Sequence, residues 1–375
     1  MKKIRVGIVG IGFVGVLHLE ALRRLGNIEV VAICDSYDIE RKGKELFIEN
    51  TYADFHLMID NENLDFIHIC TPNNSHYEIA KYAMNKSINI VLEKPMTYTI
   101  DEARELYYLA QRKKLLCFVN YHNRFYSGPA YVNNTIKKGE IGDVIAVTGY
   151  YVQDWMLYDT DYSWRLNVEE SGKTRVVADI GSHWIDLVEY MTGLIVEEVF
   201  ADFKTVYPLR KKAIGHIESF SIENAKEYEN IPIETEDIAS LLIRFNNGAI
   251  GNAIFSQSFS GKKNDIEILI AGKNASAQWS LSKSAEVIIG HRFKPNEIVT
   301  KDFLMMKELI DTFDYPSGHT EGYADQFKQV FKQVYNGNKL GLTATFYDGL
   351  RQMVINERIY ESAKTQQWVK IKDIL

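Results

Sequence analysis

The chain is short of cysteine, of basic charge and of long apolar runs, and each shortage removes a class of protein. Only 3 cysteines occur in 375 residues, Cys34, Cys70 and Cys117, far apart and each inside an apolar run. An odd number with no Cys-x-x-Cys pair argues against a disulfide framework, a dithiol redox motif and a thiolate metal site. Buried, reduced thiols of a cytoplasmic protein are the expectation. Lys and Arg number 43 against 50 Asp and Glu, a net charge of −7, which argues against a nucleic-acid footprint. No apolar stretch approaches the ~20 residues that span a bilayer. Met1-Lys2-Lys3 ahead of Ile4 to Val16 superficially resembles a secretion signal, but no small-residue cleavage site follows and the glycines are spaced for a phosphate turn. A mature strand is expected there.

What is present is a globular composition, 46% hydrophobic and 25% charged. At 375 residues, two domains are the natural expectation, here 1–121 and 122–375, with a carboxyl-terminal helix able to pack back on the first. Ile4 to Val9 is a β-branched run ending in Gly10-Ile11-Gly12-Phe13-Val14-Gly15, and a helical pattern (Val14, Leu17, His18, Ala21, Leu22, Leu25) follows at once. Gly10 permits a tight turn, Gly12 close approach of backbone to a pyrophosphate, and Gly15 close helix–strand packing. The helix start offers N–H groups and a positive dipole end to phosphates. The second strand, Ile28 to Cys34, ends in Asp35, whose carboxylate can accept from a ribose and repels a 2′-phosphate. NAD is thereby favoured over NADP, although Arg41 nearby could accommodate the phosphate. Strands at 65–70, 88–92 and 115–119 alternate with helices at 77–84 and 101–112, which predicts a doubly wound parallel sheet. Thr71-Pro72-Asn73 follows the first of these strands, where loops face the nicotinamide half of a dinucleotide; an ordinary turn with Asn73 capping the next helix is the other reading.

After a helix at 128–138 the pattern changes. Val144 to Val152 is a long strand, and Asp237 to Phe245 alternates into Asn246-Asn247-Gly248, a hairpin signal, before Ala249 to Phe259 returns. Short strands continue at 265–271, 275–281 and 285–291, and helices return at 323–335 and 345–364. The charged stretch Ser221 to Thr235, broken by Pro232, reads as a surface insertion. The fold expected is α/β, a Rossmann sheet followed by an α+β domain with a large, open, mostly antiparallel sheet. Between Tyr150 and Trp164 stand Tyr150, Tyr151, Trp155, Tyr158, Tyr162 and Trp164, interleaved with Gln153, Asp154, Asp159 and Asp161 and followed by Arg165. Aromatic faces stack on sugar C–H faces and amides bond hydroxyls, so the cluster reads as a carbohydrate surface. For any single ring, core packing is the alternative.

Two further features carry chemistry. Lys94 lies in Glu93-Lys94-Pro95 at the carboxyl end of an apolar strand, where open α/β sheets bind ligands. A solvated strand-end lysine is the plain alternative. Asp179, His183 and Asp186 are spaced four and three apart, so one helix face can carry all three. An Asp–His pair suits proton removal from an alcohol, the imidazole accepting the proton and the carboxylate steadying the imidazolium. Asp179 as a helix cap beside a satisfied histidine is the alternative. No second histidine or cysteine stands at zinc-ligand spacing, and no metal is expected.

With Gly10-x-Gly12-x-x-Gly15, Glu93-Lys94-Pro95 and Asp179-x-Gly181-x-His183 in this order, the whole chain resembles the glucose–fructose oxidoreductase/inositol dehydrogenase (Gfo/Idh/MocA) family. Thr71-Pro72-Asn73 with His76, and Asn120 with Arg124-Phe125, are similar to family features, while Ser171 to Arg175 departs from the glycines usual before the aspartate. The resemblance implies hydride transfer between a sugar or polyol carbon and a nicotinamide, with Lys94, Asp179 and His183 as the catalytic set. Gly10, Gly12, Phe13, Val14, Asp35, Thr71, Asn73, His76, Glu93 and Lys94 would hold the cofactor. Gln153-Asp154-Trp155 and Tyr162 to Leu166 are similar to levoglucosan dehydrogenases, which act on anhydro sugars or glycosides. Asn120, Arg124, Tyr126, Gln153, Trp155, Arg165, Asp179 and His183 would then face the sugar. A homodimer or homotetramer through the sheet domain is expected, since few helices cover a broad sheet. The competing class is a non-catalytic nucleotide-binding sensor, which would need neither Lys94 nor the Asp179–His183 pair. A methyltransferase sharing the glycine turn stands further off.

Overall fold

A computed structural model describes residues 3–214, 227–302, 309, 314–372 and 374–375. The chain divides into two compact units, Met1–Phe125 with Glu321–Met353 and Leu375, and Tyr126–Thr320 with Val354–Ile374.

The first unit is a parallel sheet of six described strands, β1 (Ile4–Val9), β2 (Ile28–Cys34), β3 (Asn50–Tyr52), β4 (Phe66–Ile69), β5 (Asn89–Leu92) and β6 (Cys117–Val119), in the order β3-β2-β1-β4-β5-β6. Helices α1 (Phe13–Arg23), α2 (Ile39–Leu46), α3 (Phe55–Asn61), α4 (His76–Asn85) and α5 (Ile100–Lys113) connect them. This is the expected doubly wound sheet; the three-residue β3 has too short an apolar run to be read in sequence. The strand order reverses beside β1, so the β1 and β4 carboxyl ends flank the switch point at which such sheets bind dinucleotides. Val6, Ile8, Ile33, Phe66 and Val91 pack with Leu19 and Leu22 of α1 and with Phe327, Val330 and Phe331 of the helix Tyr323–Tyr335. The α5 start carries a reciprocal cap, Glu102 N–H donating to Thr99 and Thr99 N–H to Glu102.

The second unit is built on a sheet of nine described strands, with β7 (Val144–Val152) at its middle. In order these are β16 (Glu297–Thr300), β15 (Glu286–Gly290), β14 (Ser276–Ser280), β13 (Asp265–Gly272), β7, β12 (Ile250–Ser256), β11 (Ile238–Phe245), β8 (Val196–Lys204) and β17 (Val369–Lys370). Neighbours pair antiparallel except β7 and β12, which run parallel, so the sheet is mixed. Strand periodicity shows which face a side chain takes but not which strand lies beside it. The Asn246-Asn247-Gly248 turn joins β11 to β12 as its sequence predicts, with Gly248 at φ 85°.

Helices α6 (Ser127–Lys137) and α8 (Ser182–Thr192) belong to this unit, and α8 packs closely on the inner sheet face. Trp184 Nε1 donates to the Glu267 carbonyl at 3.0 Å across Gly149, where an added Cβ would lie 1.9 Å from that oxygen. Of the remaining described α-helices, the short α7 (Val168–Ser171) is also in this unit, α9 (Tyr323–Tyr335) is in the first, and α10 (Phe346–Thr365) contributes residues to both. Of the stretch read as a surface insertion, residues 221–226 lie outside the described residues. The remainder is partly structural, since β10 (Tyr228–Pro232) pairs with β9 (Leu209–Ala213) and Thr235 is buried.

Candidate functional site

In the first unit the glycine turn is built as its spacing requires. Gly10 sits at φ 89°, and a Cβ on it would lie 2.7–2.8 Å from the Cys70 carbonyl and Thr71 nitrogen. A Cβ on Gly15 would lie 1.9 Å from the Gly10 oxygen, whereas nothing lies within 4 Å of one on Gly12. The turn is thus tight on the strand side and open above Gly12, the N-cap of α1, with Phe13 exposed and Val14 half-buried in the first turn. Asp35 is fixed by Ile11 N–H at 2.7 Å, Tyr37 N–H at 3.0 Å and Lys42 Nζ at 3.0 Å. Arg41, the cation that clouded the cofactor reading, bonds instead to Asp38 and Glu45. Lys42, unremarked in the sequence, is the cation at Asp35. These groups fit a dinucleotide: an open turn at a helix start for the pyrophosphate and a held carboxylate at the second strand end for a ribose.

Glu93 and Lys94 sit on a buried polar cluster. Glu93 Oε1 receives Asn120 Nδ2 at 2.6 Å and meets His18 Nε2 at 3.0 Å, and Lys94 N–H donates to Glu93 Oε2 at 3.3 Å. Burial pushes the Glu93 carboxyl up, but hydrogen bonding and charge from His18, then Asn120 and Lys94, outweigh it and hold it at about 2. His18 Nδ1 meets His68 Nδ1 at 2.8 Å, and His68 Nε2 meets the Tyr335 hydroxyl at 2.7 Å. His18, His68 and Tyr335 carried no sequence signal, because 50 residues separate His18 from His68 and 267 separate His68 from Tyr335. The peptide bond between Lys94 and Pro95 is cis, and Lys94 is half-buried.

Three expected ligand contacts are placed otherwise. His76 is fully buried, its ring nitrogens 2.8 Å from the Thr71 carbonyl and 3.0 Å from the Pro95 carbonyl, so it staples the two loops together rather than facing a ligand. Thr71 is itself bonded by Ser75 Oγ at 2.7 Å, and Asn73, in a short 3-10 turn ahead of α4, is buried. Asn120 is fully buried, with its Nδ2 committed to the Glu93 carboxylate. Arg124 is buried against Asp348 at 3.0 Å, a structural ion pair.

In the second unit Asp179 lies within one π-helical turn, Val177–Gly181, closed by Ser182 N–H on the Val177 carbonyl and running directly into α8 with His183. A single π turn inside helical structure often marks a functional position, and it alters the regular four-residue spacing read from the sequence. Gly181 lets the turn touch the sheet: a Cβ there would lie 2.7 Å from the Phe255 ring. Asp179 Oδ1 accepts from Arg165 Nε at 3.2 Å and Oδ2 from Gln257 Nε2 at 2.7 Å. Arg165 also stacks on Trp164, 4.7 Å from the ring centroid. Tyr151 and His183 are both buried, their ring centroids 6.4 Å apart.

Behind Gln257 lies a fully buried ion cluster. Arg175 Nη1 donates to Gln257 Oε1 at 2.8 Å, Arg175 Nη2 and Arg210 Nη2 both donate to Asp237 Oδ1, and Glu236 accepts Arg175 N–H and Val177 N–H. Burial pushes the Arg175 guanidinium down and the Glu236 carboxyl up. Arg175 closes the stretch 171–175 in which the sequence departs from the family pattern.

The aromatic run does not form one surface. Tyr150 and Tyr151 are adjacent on β7 and point to opposite faces, Tyr150 hydrogen-bonding Glu267 at 2.7 Å and Tyr151 joining the core. Tyr126 is buried, its ring 5.7 Å from that of Trp279, which leaves it little surface for a ligand. Gln153 and Trp155 do come together: Trp155 Nε1 donates to Gln153 Oε1 at 2.7 Å, and Gln153 Nε2 donates to Asn264 at 2.9 Å. Among the described residues, no cluster of three or more His, Cys, Asp or Glu could hold a metal, and no helix is long and apolar enough to cross a membrane.

Comparison with known proteins agrees with this layout. Residues 4–121 match the model of an oxidoreductase family with an NAD-binding Rossmann fold, and 130–278 match the GFO/IDH/MocA C-terminal domain. Levoglucosan dehydrogenase of Pseudarthrobacter phenanthrenivorans is 25% identical over 100% of both chains. Myo-inositol 2-dehydrogenase of Thermotoga maritima is 25% identical over 99% of each. In fold, the chain superposes on a levoglucosan dehydrogenase in its apo form with a TM-score of 0.91, at 23% identity and covering 100% of both chains. With both of its domains matched in chain order, the protein belongs to the GFO/IDH/MocA family of oxidoreductases.

Proposed function

We propose that the protein is an NAD-dependent dehydrogenase of a sugar or sugar derivative, such as an anhydro sugar, glycoside or polyol. The observation that carries this is the Asp179 carboxylate, held through both oxygens by Arg165 and Gln257 and followed after one turn by His183. A sensor has no use for a carboxylate held in this way one turn ahead of a buried histidine. Two relatives of matching length, a levoglucosan and an inositol dehydrogenase, support the substrate class.

In this reading His183 takes the hydroxyl proton and Asp179 orients the ring and steadies the imidazolium. Lys94 donates a hydrogen bond to the same oxygen and stabilises the charge that develops on it. Gly10, Gly12, Phe13 and Val14 hold the pyrophosphate, Asp35 the ribose, and Thr71, Asn73 and Glu93 shape the nicotinamide end. NAD, when bound, supplies the acceptor for the hydride leaving the substrate carbon. Gln153, Trp155 and Arg165 are the sugar contacts, and Tyr126 acts from behind them through packing. Three free thiols support a cytoplasmic location: Cys34 and Cys117 are buried, and burial pushes both thiols up to about 12.

A panel of sugars and polyols with NAD or NADP, followed by absorbance of the reduced cofactor, tests the reading. Reduction of NAD with at least one anhydro sugar, glycoside or polyol, faster than with NADP, is expected. Tight NAD binding with no turnover across the panel would favour the sensor.

A further inference from the structure

We infer that Gln257 is a positioning residue, a neutral link that fixes the Asp179 carboxylate and the sugar-facing Gln153 amide to one buried anchor. The inference rests on the reading of Asp179 as part of the proton-handling pair. Gln257 follows the last residue of β12 and is fully buried. Its backbone is fixed from two sides, its N–H donating to the Asp237 carbonyl at 3.3 Å and its carbonyl accepting from Met156 N–H at 3.0 Å.

The direction of its amide follows from chemistry. A guanidinium is donor-only, so the end of Gln257 that meets Arg175 at 2.8 Å must be the oxygen. The NH2 end is then committed to acceptors, and it has two: Asp179 Oδ2 at 2.7 Å and, more weakly, Gln153 Oε1 at 3.4 Å. Arg175 cannot turn away, because its other nitrogen is bonded to the buried Asp237, which also holds Arg210 and the Val206 N–H. Arg210 is in turn held by the carbonyls of Met156 and Tyr158, in the loop that follows Trp155.

A chain of fixed groups thus runs from the ion cluster through Gln257 to Asp179, and a branch runs to Gln153 and Trp155. Gln257 transmits position without adding charge. A glutamate of the same shape would satisfy Arg175 better but would set an anion against the Asp179 anion. The charged and titratable groups around Asp179 are Arg165 on one oxygen, the Arg175–Asp237–Arg210–Glu236 cluster behind Gln257, and His183 on the following helix.

Gln257→Glu and Gln257→Met separate the roles, measured beside Asp179→Asn in the intact protein with NAD and a sugar it oxidises. Gln257→Met removes the donor without adding charge, and turnover should fall roughly tenfold to a hundredfold, as expected for a misplaced catalytic pair, with the pH profile in place. Gln257→Glu should move the acidic limb of the turnover profile up by about one pH unit, since a second carboxylate favours the protonated pair. Thermal melting near wild type shows that each variant folds. A crystal structure of Gln257→Met should show Asp179 turned from its wild-type rotamer, a readout that does not depend on turnover. Both variants turning over like wild type with unshifted profiles, while Asp179→Asn is inactive, would overturn the positioning role and leave the proposed function standing. An active Asp179→Asn would overturn the reading of the site and this inference with it.

Discussion

At the scale of single residues, Lys94 separates binding from chemistry. A lysine that only anchored cofactor would, as Lys94→Ala, weaken NAD binding and leave turnover at saturation intact. A donor to the reacting oxygen is strongest in the transition state, so its loss lowers turnover itself. We expect Lys94→Ala to lower kcat at saturating NAD and sugar by roughly a hundredfold to a thousandfold, as read by steady-state kinetics. Buried histidines make a second prediction. Burial lowers His76 and His68 and holds His122, stacked on Phe327, at about 4. Their folded values lie below the unfolded one, so the unfolded chain binds protons first as pH falls. Stability is therefore complete above about pH 6.5 and declines as pH drops toward 4. Glu93, held at about 2, adds a loss of the same sign below about pH 4.5. Urea midpoints should fall between pH 7.5 and 5, and His122→Phe should shrink that fall; an equal fall in the variant would count against His122 as a source.

At the scale of elements, two glycines of one turn serve different purposes. Gly15 faces the Gly10 oxygen at 1.9 Å from a built Cβ, so Gly15→Ala must displace backbone and lose both stability and NAD affinity. Gly12 has open space above it. Gly12→Ala should therefore melt within a degree or two of wild type yet bind NADH more weakly by about tenfold, roughly 1.4 kcal/mol. Calorimetry on both variants checks the contrast; a destabilised Gly12→Ala with normal affinity would reverse it.

Such elements were legible in sequence because their signals are local. The strand Val144–Val152 is legible to the residue, and Asn246-Asn247-Gly248 marks the β11–β12 hairpin. Other features depend on contacts that no local pattern carries. The parallel β7–β12 pairing, the π turn at Asp179 and the three-residue β3 leave no periodicity to read. Gln257 is one glutamine at a strand end, and only Arg175, 82 residues away, gives it a direction. The aromatic run misled for the opposite reason: its chemistry suited sugars, but strand alternation sends Tyr150 and Tyr151 to different faces.

At the scale of the whole molecule, and among the described residues, the nine-stranded sheet has one face packed by helices and the other exposed. Across the open face the register aligns Phe200, Leu242, Asn252, Thr148, Leu269, Gln278, Ile288 and Ile298 in one row. Leu242 is 48% exposed, Leu269 37% and Ile298 64%, apolar side chains set among the polar Asn252, Thr148 and Gln278, and exposed apolar surface of this kind supports an interface. A homodimer or homotetramer through this face is our expectation, and Leu242→Asp should shift it toward the 43.1 kDa monomer in light scattering. A wild-type monomer at micromolar concentration would contradict that. In the proposed function the labour is divided, with the glycine turn and Asp35 in the first unit and Asp179 and His183 in the second. The role of His183 is decided by His183→Ala, with turnover and the NADH dissociation constant measured on the same preparation. Turnover should fall by roughly a hundredfold or more, with NADH affinity unchanged within about twofold, a change of only ~0.4 kcal/mol. Wild-type turnover in His183→Ala would rule out His183 as the base.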